Sequence, residues 1–416
     1  TLNAHLPMKT RVLLASFSIF LLAACNQSQN SKHELQGMWH AELDINPDVI
    51  PVELELGKSG EKWEAYIING EEKLKLDEVL VKNDSIFIPM GVFDSEIKAS
   101  IKNDSLLQGE FVKNTSSDYA IPFEAKKGEF ERFEVTEKPK TDFSGKWKTI
   151  FQDANGKTYE AIGEFVQNGS QIRGTFLTAL GDYRFLAGNV SGETFFLSAF
   201  DGSHAFFFTA DLLEDGSIQG RFRSGPRYQE TFIAVRDEDF ELPDAYELTY
   251  LKDGYEELDF SFPDTEGNMI SIKDDKFKNK VVLVQLFGTW CPNCMDETKF
   301  LAPWYEKNKD RGIEIIGLAF ESKPDFDYAS QRVKKSAEKL GAGYTFLIAG
   351  VSNKEKAAEA LPALSSVVAF PTLIYIGKNG KVRHIHTGFN GPGTGGLYDR
   401  WIEEHEELVS RLLGEE

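Results

Sequence analysis

The sequence predicts a multidomain protein in which two antiparallel β modules, each a barrel or a sandwich, precede an α/β domain built on a central mixed sheet. Three observations lead to this prediction. The chain has 416 residues, which is more than one hydrophobic core usually accommodates. Short alternating segments separated by turn residues occupy positions 35–240. From position 241 onward strands alternate with helical patterns, which is typical of an α/β domain.

The composition limits the class of partner. Acidic residues outnumber basic residues by 66 to 46, and the formal net charge is −20. Nucleic-acid binding needs clustered Lys and Arg side chains that displace counterions from phosphates. We therefore expect no nucleic-acid partner, and we interpret the acidic surface as a source of solubility.

The amino-terminal segment is predicted to direct the protein out of the cytoplasm. Basic residues precede an apolar run that ends in Leu22-Ala23-Ala24-Cys25, and this run is too short to span a bilayer but suits a signal peptide. The LAAC ending resembles a bacterial lipobox, which implies cleavage before Cys25 and lipidation of its sulfur. We thus expect a signal over residues 1–25, a tether over 26–34, and a lipid-anchored, periplasm-facing protein of the bacterial cell envelope, on the inner or outer membrane. An ordinary cleaved signal is the alternative.

Residues 35–137 and 138–240 are predicted to form the two β modules, of about a hundred residues each, with the second a repeat of the first. Gly37-Met38-Trp39 recurs as Gly145-Lys146-Trp147, and Leu107–Phe111 recurs as Ile218–Phe222. The Gly-x-Trp openings faintly resemble lipocalin-type barrels, which implies a small barrel or sandwich able to hold an apolar ligand. We interpret the two tryptophans as core residues.

The third domain, residues 241–416, shows the alternation of strands and helices most clearly. A buried strand is predicted over Val281–Phe287 and a helix over Cys294–Lys309. The same patterns predict strands over Ile313–Phe320, Tyr344–Ala349, Thr372–Ile376 and Val382–Thr387, and helices over Asp325–Leu340, Lys354–Leu361 and Leu397–Leu413.

Cys291 and Cys294 are the only cysteines besides Cys25. In an oxidising compartment a lone pair is either disulfide-bonded or redox-active. At the start of a helix, Cys291 faces unpaired backbone N–H groups and the positive end of the helix dipole, which lower a thiol pKa. Cys294, one turn later, can resolve a mixed disulfide that Cys291 forms with another molecule. The pattern predicts thiol–disulfide exchange that uses the dithiol itself and no bound cofactor.

The strand VVLVQLF, the motif Trp290-Cys291-Pro292-Asn293-Cys294 and a later Phe370-Pro371-Thr372 together resemble the thioredoxin fold. With an extra strand–helix pair and the lipobox, the domain resembles the TlpA/ResA-type membrane-tethered reductases. The resemblance implies that Cys291 attacks and Cys294 resolves. It also implies that Pro371 is a cis proline that positions the substrate backbone; an ordinary trans proline at a strand start is the alternative. Trp290, Phe370 and Thr372 are expected to contact the substrate, although Trp290 could equally be a core residue.

Further residues are expected to support the dithiol. Gln285 stands where thioredoxin has a buried aspartate, so it can form hydrogen bonds but cannot take a proton. Glu297 matches a glutamate of ResA-type proteins, and the resemblance implies that it carries the acid–base role; a solvated surface glutamate is the alternative. Pro292 suits the first helical position because its missing N–H would have no helical partner. Asn293 completes the dipeptide between the two cysteines.

Charge near the dithiol is expected to set the direction of the reaction. Asp296 and Glu297 should place negative charge beside the sulfurs and oppose the helix dipole. A less acidic nucleophile favours a reductase over an oxidase. Lys299 stands where the family helix usually carries a proline, so this part of the helix departs from the family pattern.

Other interpretations of the pair stay open. A zinc site would need ligands beyond the pair, such as His384 and His386, and we expect no metal. A purely structural disulfide would close a very short loop. A thiol peroxidase of the same fold usually has a threonine where Gly288 stands. A ligand-binding or sensor lipoprotein with an inactive redox domain is the non-enzymatic alternative.

The expected partners follow from the resemblance. They are a disulfide-containing protein substrate, with apocytochrome c as a candidate, a membrane thiol electron donor, and the membrane itself through the lipid on Cys25.

Overall fold

A computed structural model describes residues 33–415 of the chain. The predicted signal peptide, the lipidation site Cys25 and most of the tether lie outside these residues. Positions 33–415 contain two β-barrels followed by an α/β domain, so the predicted multidomain architecture is confirmed at this level. None of the helices in this part of the chain combines the length and the apolar composition that crossing a bilayer requires.

The first barrel has eight antiparallel strands in chain order and closes where β8 pairs with β1. Side chains alternate along each strand between the interior and the outside. In β1, Trp39, Ala41 and Leu43 are buried. The strands are β1 Gly37–Asp44, β2 Val49–Ser59, β3 Lys62–Asn69, β4 Glu72–Lys82, β5 Ser85–Pro89, β6 Ser95–Asn103, β7 Leu106–Lys113 and β8 Ala120–Lys127.

The second barrel closes in the same way, through the pairing of its last strand with its first. Its interior is filled by phenylalanine rings, among which Phe208 and Phe222 stack with centroids 4.4 Å apart. A two-residue strand, β12, extends the sheet beside β11. The strands are β9 Gly145–Asp153, β10 Thr158–Asn168, β11 Gln171–Thr178, β12 Gly181–Asp182, β13 Leu186–Ser191, β14 Thr194–Phe200, β15 Ala205–Leu212, β16 Ile218–Ser224 and β17 Tyr228–Arg236.

The tryptophans of the two Gly-x-Trp motifs occupy matching places. Trp39 and Trp147 are both buried, which confirms their interpretation as core residues. Trp39 Nε1 donates to the Leu35 carbonyl at 2.8 Å, and Trp147 Nε1 donates to the Phe143 carbonyl at 2.9 Å. Each bond thus reaches back four positions. This likeness is consistent with the repeat, which stays a prediction.

The two barrels pack directly against each other. Asn69 of the first barrel exchanges two hydrogen bonds with the backbone of Phe200 in the second, at 2.9 and 3.0 Å. Arg132, in the segment between the barrels, is buried and donates to Ser198 Oγ at 2.9 Å and to the Ile68 carbonyl at 2.6 Å. A buried guanidinium with satisfied donors holds both barrels at a fixed relative position.

The third domain contains a five-stranded mixed sheet of order β22-β21-β20-β23-β24, in which β20, β21 and β22 are parallel. A separate hairpin, β18 with β19, precedes it. The strands are β18 Ser261–Pro263, β19 Met269–Ser271, β20 Val281–Phe287, β21 Ile313–Glu321, β22 Thr345–Val351, β23 Thr372–Ile376 and β24 Val382–Thr387. The helices are α1 Pro292–Asn308, α2 Phe326–Leu340, α3 Lys354–Ala360 and α4 Gly396–Gly414. The strands and helices predicted for this domain are confirmed within a few residues at their ends.

The central strand β20 is buried along its whole length because helices and loops cover both faces of the sheet. Val281, Leu283 and Phe287 enter one core with α1, α2 and α4. Val282 and Leu286 enter a second core on the opposite face. This strand ends at the loop that carries the cysteine pair, so the sheet fixes the position of the dithiol.

Candidate active site

The cysteine pair lies at the amino end of α1 and forms a disulfide. Cys291 is the N-cap residue, and the backbone N–H of Cys294 donates to its sulfur at 3.2 Å. Pro292 occupies the first turn, as predicted. The first backbone N–H groups of a helix have no partner within the helix, and one of them, that of Cys294, points at this sulfur. A thiolate on Cys291 is therefore stabilised in the reduced protein. Cys291 is 5% exposed and Cys294 is fully buried, so Cys291 is the sulfur that another molecule can approach.

The predicted proline faces this sulfur. The Phe370–Pro371 peptide bond is cis, as the resemblance implied, and the Phe370 carbonyl oxygen lies 3.5 Å from Cys291 Sγ. The Trp290 ring meets the Phe370 ring edge to face, with centroids 5.8 Å apart, and Trp290 Nε1 donates to the Phe320 carbonyl at 2.8 Å. Trp290 and Phe370 are both partly exposed, which fits their expected contact with a substrate.

Thr372 does not fit the expected contact with substrate. Its side chain is fully buried, and Oγ1 donates to the Ala369 carbonyl at 2.9 Å. The hydroxyl therefore stabilises the loop that carries Pro371 from the inside. Because Thr372 opens β23 in the middle of the sheet, its side chain is directed into the domain.

Gln285 of β20 and Glu297, three residues after Cys294 on α1, meet in a buried polar cluster. Gln285 Nε2 donates to Glu297 Oε2 at 2.8 Å and lies 3.2 Å from Thr298 Oγ1, and the Tyr344 hydroxyl donates to Gln285 Oε1 at 3.3 Å. Gln285 can thus form hydrogen bonds without taking a proton, as predicted. Thr298 and Tyr344 belong to this cluster although no motif in the sequence marks them.

The carboxyl group of Glu297 is poised for proton transfer. Glu297 is 0% exposed, so the alternative of a solvated surface glutamate is wrong. Burial raises its pKa to about 8, and the hydrogen bond from Gln285 opposes that rise only in part. The second carboxyl oxygen, Oε1, has no partner in residues 33–415. A carboxyl group that gains and loses its proton near neutral pH suits general acid–base chemistry.

Asp296, in contrast, does not place an uncompensated charge beside the sulfurs. Its carboxylate is buried and pairs with Arg184, which comes from the second barrel, and with Lys299 at 2.8 Å. Despite the cost of burial, these two cations hold its pKa below the ordinary value. The expectation that Asp296 and Glu297 place uncompensated negative charge beside the sulfurs is therefore wrong. The Asp296 carboxylate is ion-paired, and the Glu297 carboxyl group holds its proton at neutral pH.

A second buried carboxyl group anchors the loop before the cysteines. Glu321, the last residue of β21, accepts from the Thr289 backbone N–H at 2.8 Å and from its hydroxyl at 2.9 Å. Burial raises the pKa of Glu321. This anchor was missed in the sequence, although an acidic residue at the carboxyl end of an apolar strand could have indicated it.

The second barrel contacts the active-site loop on two sides. Ser203 Oγ donates to the Trp290 carbonyl at 3.0 Å. Gly181 forms a bridge with Phe389, whose carbonyl also accepts from Asn293 Nδ2 at 3.2 Å. Any side chain at position 181 would meet the Asn293 amide, because a Cβ there would lie 2.2 Å from Nδ2. The barrel is therefore part of the surroundings of the dithiol.

The histidines considered as zinc ligands make other contacts. His386 is buried, its Nδ1 lies 3.1 Å from the Gly388 carbonyl, and its ring packs on Tyr246. His384 Nε2 lies 3.1 Å from Arg411 Nη2. In the part of the chain that the structure describes, no group of three or more His, Cys, Asp or Glu side chains is placed to hold a metal ion.

Comparison with known families agrees with this geometry. The family model described as Redoxin matches residues 252–398, a range that contains the dithiol, the buried glutamate and the cis proline. The carboxy-terminal domain is thus similar to thioredoxin-like oxidoreductase domains of the TlpA/ResA type. The match covers this redox domain and neither of the barrels.

Relatives of the redox domain come from several bacteria. Thiol-disulfide oxidoreductase ResA of Bacillus thuringiensis subsp. konkukian is 33% identical over 129 residues, which are 31% of this chain and 66% of that protein. The ResA of Halalkalibacterium halodurans is 25% identical over 156 residues, or 38% of this chain and 76% of that protein. The chain thus spans just under two thirds of the length of the first relative. A thiol:disulfide interchange protein structure from Chlorobium tepidum is 20% identical, with a TM-score of 0.30, and covers 39% of this chain and all of that one.

Proposed function

We propose that the protein reduces disulfides of other proteins in the bacterial cell envelope. The observation that carries this proposal is a capped, accessible sulfur on Cys291 combined with a buried carboxyl group on Glu297 whose pKa is about 8. Cys291 attacks a substrate disulfide as the thiolate. The substrate releases one sulfur, which takes up a proton, and a mixed disulfide forms between Cys291 and the other sulfur.

The second step closes the disulfide of the protein. Cys294 loses its thiol proton to Glu297 in the fraction of molecules in which that carboxyl group is ionised, a minor fraction at neutral pH that grows as the pH approaches its pKa of about 8. The Cys294 thiolate then attacks Cys291 Sγ. The mixed disulfide breaks, and the second substrate sulfur leaves as a thiolate that is then protonated. The substrate disulfide has gained two electrons and two protons, and the Cys291–Cys294 disulfide has formed. A thiol donor at the membrane is proposed to reduce the Cys291–Cys294 disulfide, which regenerates the dithiol.

The surroundings of the sulfur support the reducing direction. Cys291 Sγ contacts one N–H donor and one carbonyl oxygen, and within residues 33–415 no Lys, Arg or His side chain forms a hydrogen bond to either sulfur. The helix start stabilises the Cys291 thiolate, but no side-chain cation adds to that stabilisation. The reduced pair is therefore less stable relative to the disulfide than it would be beside such a cation, which corresponds to a more reducing couple.

Insulin reduction in the presence of a thiol donor tests the proposed reaction. We expect turnover by the full chain, none by Cys291→Ser, and a loss of about a hundredfold for Glu297→Gln, the usual contribution of a general acid–base group. Cys294→Ala should accumulate a mixed disulfide with insulin, while Cys291→Ser should accumulate none. Turnover that persists in Cys291→Ser would exclude the mechanism.

The location and the physiological substrate are proposed on the amino-terminal sequence and on the type of the redox domain. Labelled palmitate should be incorporated by the full chain and not by Cys25→Ala, if the lipobox resemblance holds. Apocytochrome c is the proposed substrate, so deletion of the gene should impair the assembly of c-type cytochromes. Normal assembly after deletion would remove this substrate while leaving the reductase reaction intact.

A further inference from the structure

A cavity of about 240 Å³ lies where the two barrels meet the redox domain, beside the loop that leads into the dithiol. Trp290 of the active-site loop forms part of its wall. Three basic side chains from three different elements also line it: Lys113 from β7, His204 from the loop between β14 and β15, and Arg332 from α2. We name this space the junction cavity. It exists only because the three domains are packed together.

The basic groups of the junction cavity have hydrogen-bonding capacity that the protein does not use. Lys113 is half-buried, and desolvation lowers its pKa. Its ammonium lies 4.6 Å from the Tyr119 ring centre. Within residues 33–415 it forms no salt bridge, although the Asp201 carboxylate attracts it from a longer distance. Arg332 donates through Nη2 to the Val92 carbonyl, whereas its Nε has no partner in the described part of the chain. An anion that enters the cavity would satisfy both cations.

One acidic residue, Asp94, lines the cavity, and a second, Asp201, lies close to it. Asp94 accepts from the Tyr328 hydroxyl at 3.0 Å and from Asn114 Nδ2 at 3.2 Å. Asp201, behind the wall, accepts from the His204 backbone N–H at 2.6 Å and lies 3.5 Å from the His204 ring nitrogen Nδ1. The cations Lys113 and Arg332 thus outnumber the one carboxylate in the lining, in a chain whose formal net charge is −20.

The junction cavity lies close enough to Cys291 for a bound substrate segment to reach it. Trp290, which lines the cavity, immediately precedes the attacking Cys291. Ser203 Oγ, also in the cavity wall, donates a hydrogen bond to the Trp290 carbonyl at 3.0 Å. Each residue of an extended segment spans about 3.5 Å. A side chain one to three residues from the substrate cysteine is therefore within reach of the junction cavity while the sulfurs react.

We propose that the junction cavity is a specificity site that takes the carboxylate of an Asp or Glu side chain near the disulfide of the protein substrate. This inference rests on the proposed function. The volume of about 240 Å³ is below the range of about 300 to 1,000 Å³ that is usual for small-molecule sites, and it suits one side chain. The barrels thereby acquire a role in choosing substrates, because they supply Lys113 and His204.

The test compares two disulfide-linked peptides that differ only in Glu or Gln two residues after the cysteine, with the full chain as the reductase. The measured quantity is the ratio of their kcat/KM values at low salt. We expect the wild-type protein to prefer the Glu peptide by about fivefold, the size of a half-exposed charge pair. Lys113→Gln should bring the ratio close to one, and Lys113→Arg should restore the preference. Lys102→Gln, an exposed lysine in the same barrel, should behave as the wild type.

The outcomes separate this inference from the proposed function. If the wild-type protein reduces both peptides equally well, or if Lys113→Gln keeps the preference, the cavity assignment is overturned while the reductase stands. If the wild-type protein reduces neither peptide nor bis(2-hydroxyethyl) disulfide, a small neutral probe, the proposed function fails and the inference falls with it. A preference that weakens at high salt supports the charge pairing, since ions screen half-exposed charges.

Discussion

Replacing Glu297 with glutamine should remove a pH dependence of stability that arises from one buried carboxyl group. Glu297 is fully buried in the oxidised protein, and burial raises its pKa from 4.5 to about 8. Below pH 4.5 the carboxyl group is protonated in both the folded and the unfolded protein, so it contributes no pH dependence there. As the pH rises from 4.5 towards 8, the unfolded chain releases the proton while the folded protein retains it, and stability is lost.

The magnitude follows from the two pKa values. At about 1.4 kcal/mol per pKa unit, a rise from 4.5 to about 8 costs the wild-type protein about 3 to 4 kcal/mol between pH 5 and pH 8. Glu297→Gln cannot ionise, so this loss should be absent from the variant. The free energy of unfolding of the variant relative to the wild type should therefore increase by about the same amount over this pH range.

Urea unfolding of the full chain at pH 5 and pH 8 measures this difference, with hydrogen exchange of peptides from β20 and α1 reporting on the redox domain. Both proteins are kept oxidised so that thiol ionisation does not contribute. Glu306→Gln is the matched control, because Glu306 lies on the same helix but is exposed. If Glu297→Gln loses as much stability as the wild type between the two pH values, Glu297 is not a buried carboxyl group with a raised pKa.

Three further predictions concern the packing around the dithiol and within the second barrel. Arg184→Met should destabilise the protein by about 3 to 5 kcal/mol because it leaves buried carboxylates unpaired, whereas Arg173→Met, which removes a solvent-exposed ion pair, should change the melting temperature little. Gln285→Leu should shift the pH midpoint of disulfide reduction upward by about one unit, since it removes the hydrogen bond that lowers the pKa of Glu297; an unchanged midpoint would contradict this. Phe208→Ala should cost about 3 to 5 kcal/mol in urea unfolding, and a cost below about 1 kcal/mol would show that the barrel interior relaxes into the cavity.

Local patterns in the sequence predicted the redox domain closely. The apolar run of β20 and the amphipathic pattern of α2 depend on residues near one another in the chain, so their periodicity indicates strand or helix directly. The placement of Cys291 at the N-cap of α1 follows from the same local geometry, as do the first-turn positions of Pro292 and Cys294. Periodicity and helix-start preferences predict these features because each feature depends on residues only a few positions apart.

Contacts between residues that are far apart in the chain could not be predicted from the sequence. Arg184 pairs with Asp296 over 112 positions, and nothing in the local sequence of either residue marks the other. The inward direction of the Thr372 side chain depends on neighbouring strands of the sheet. The same holds for the junction cavity, whose three basic residues come from different domains. Burial and charge compensation are properties of the packed molecule, and they decide which acidic groups are ionised.

The sequence by itself determined the strands and helices of the redox domain, the place of the cysteine pair at a helix start, and the proline that faces it. These features follow from periodicity and from contacts within one or two turns of the chain. Only the tertiary structure decided that Glu297 holds a proton near neutral pH, that Asp296 is neutralised with the help of the second barrel, and that this barrel contacts the loop that carries Cys291. Protonation and access depend on how much water the folded chain excludes, and that quantity exists only after distant segments have packed together.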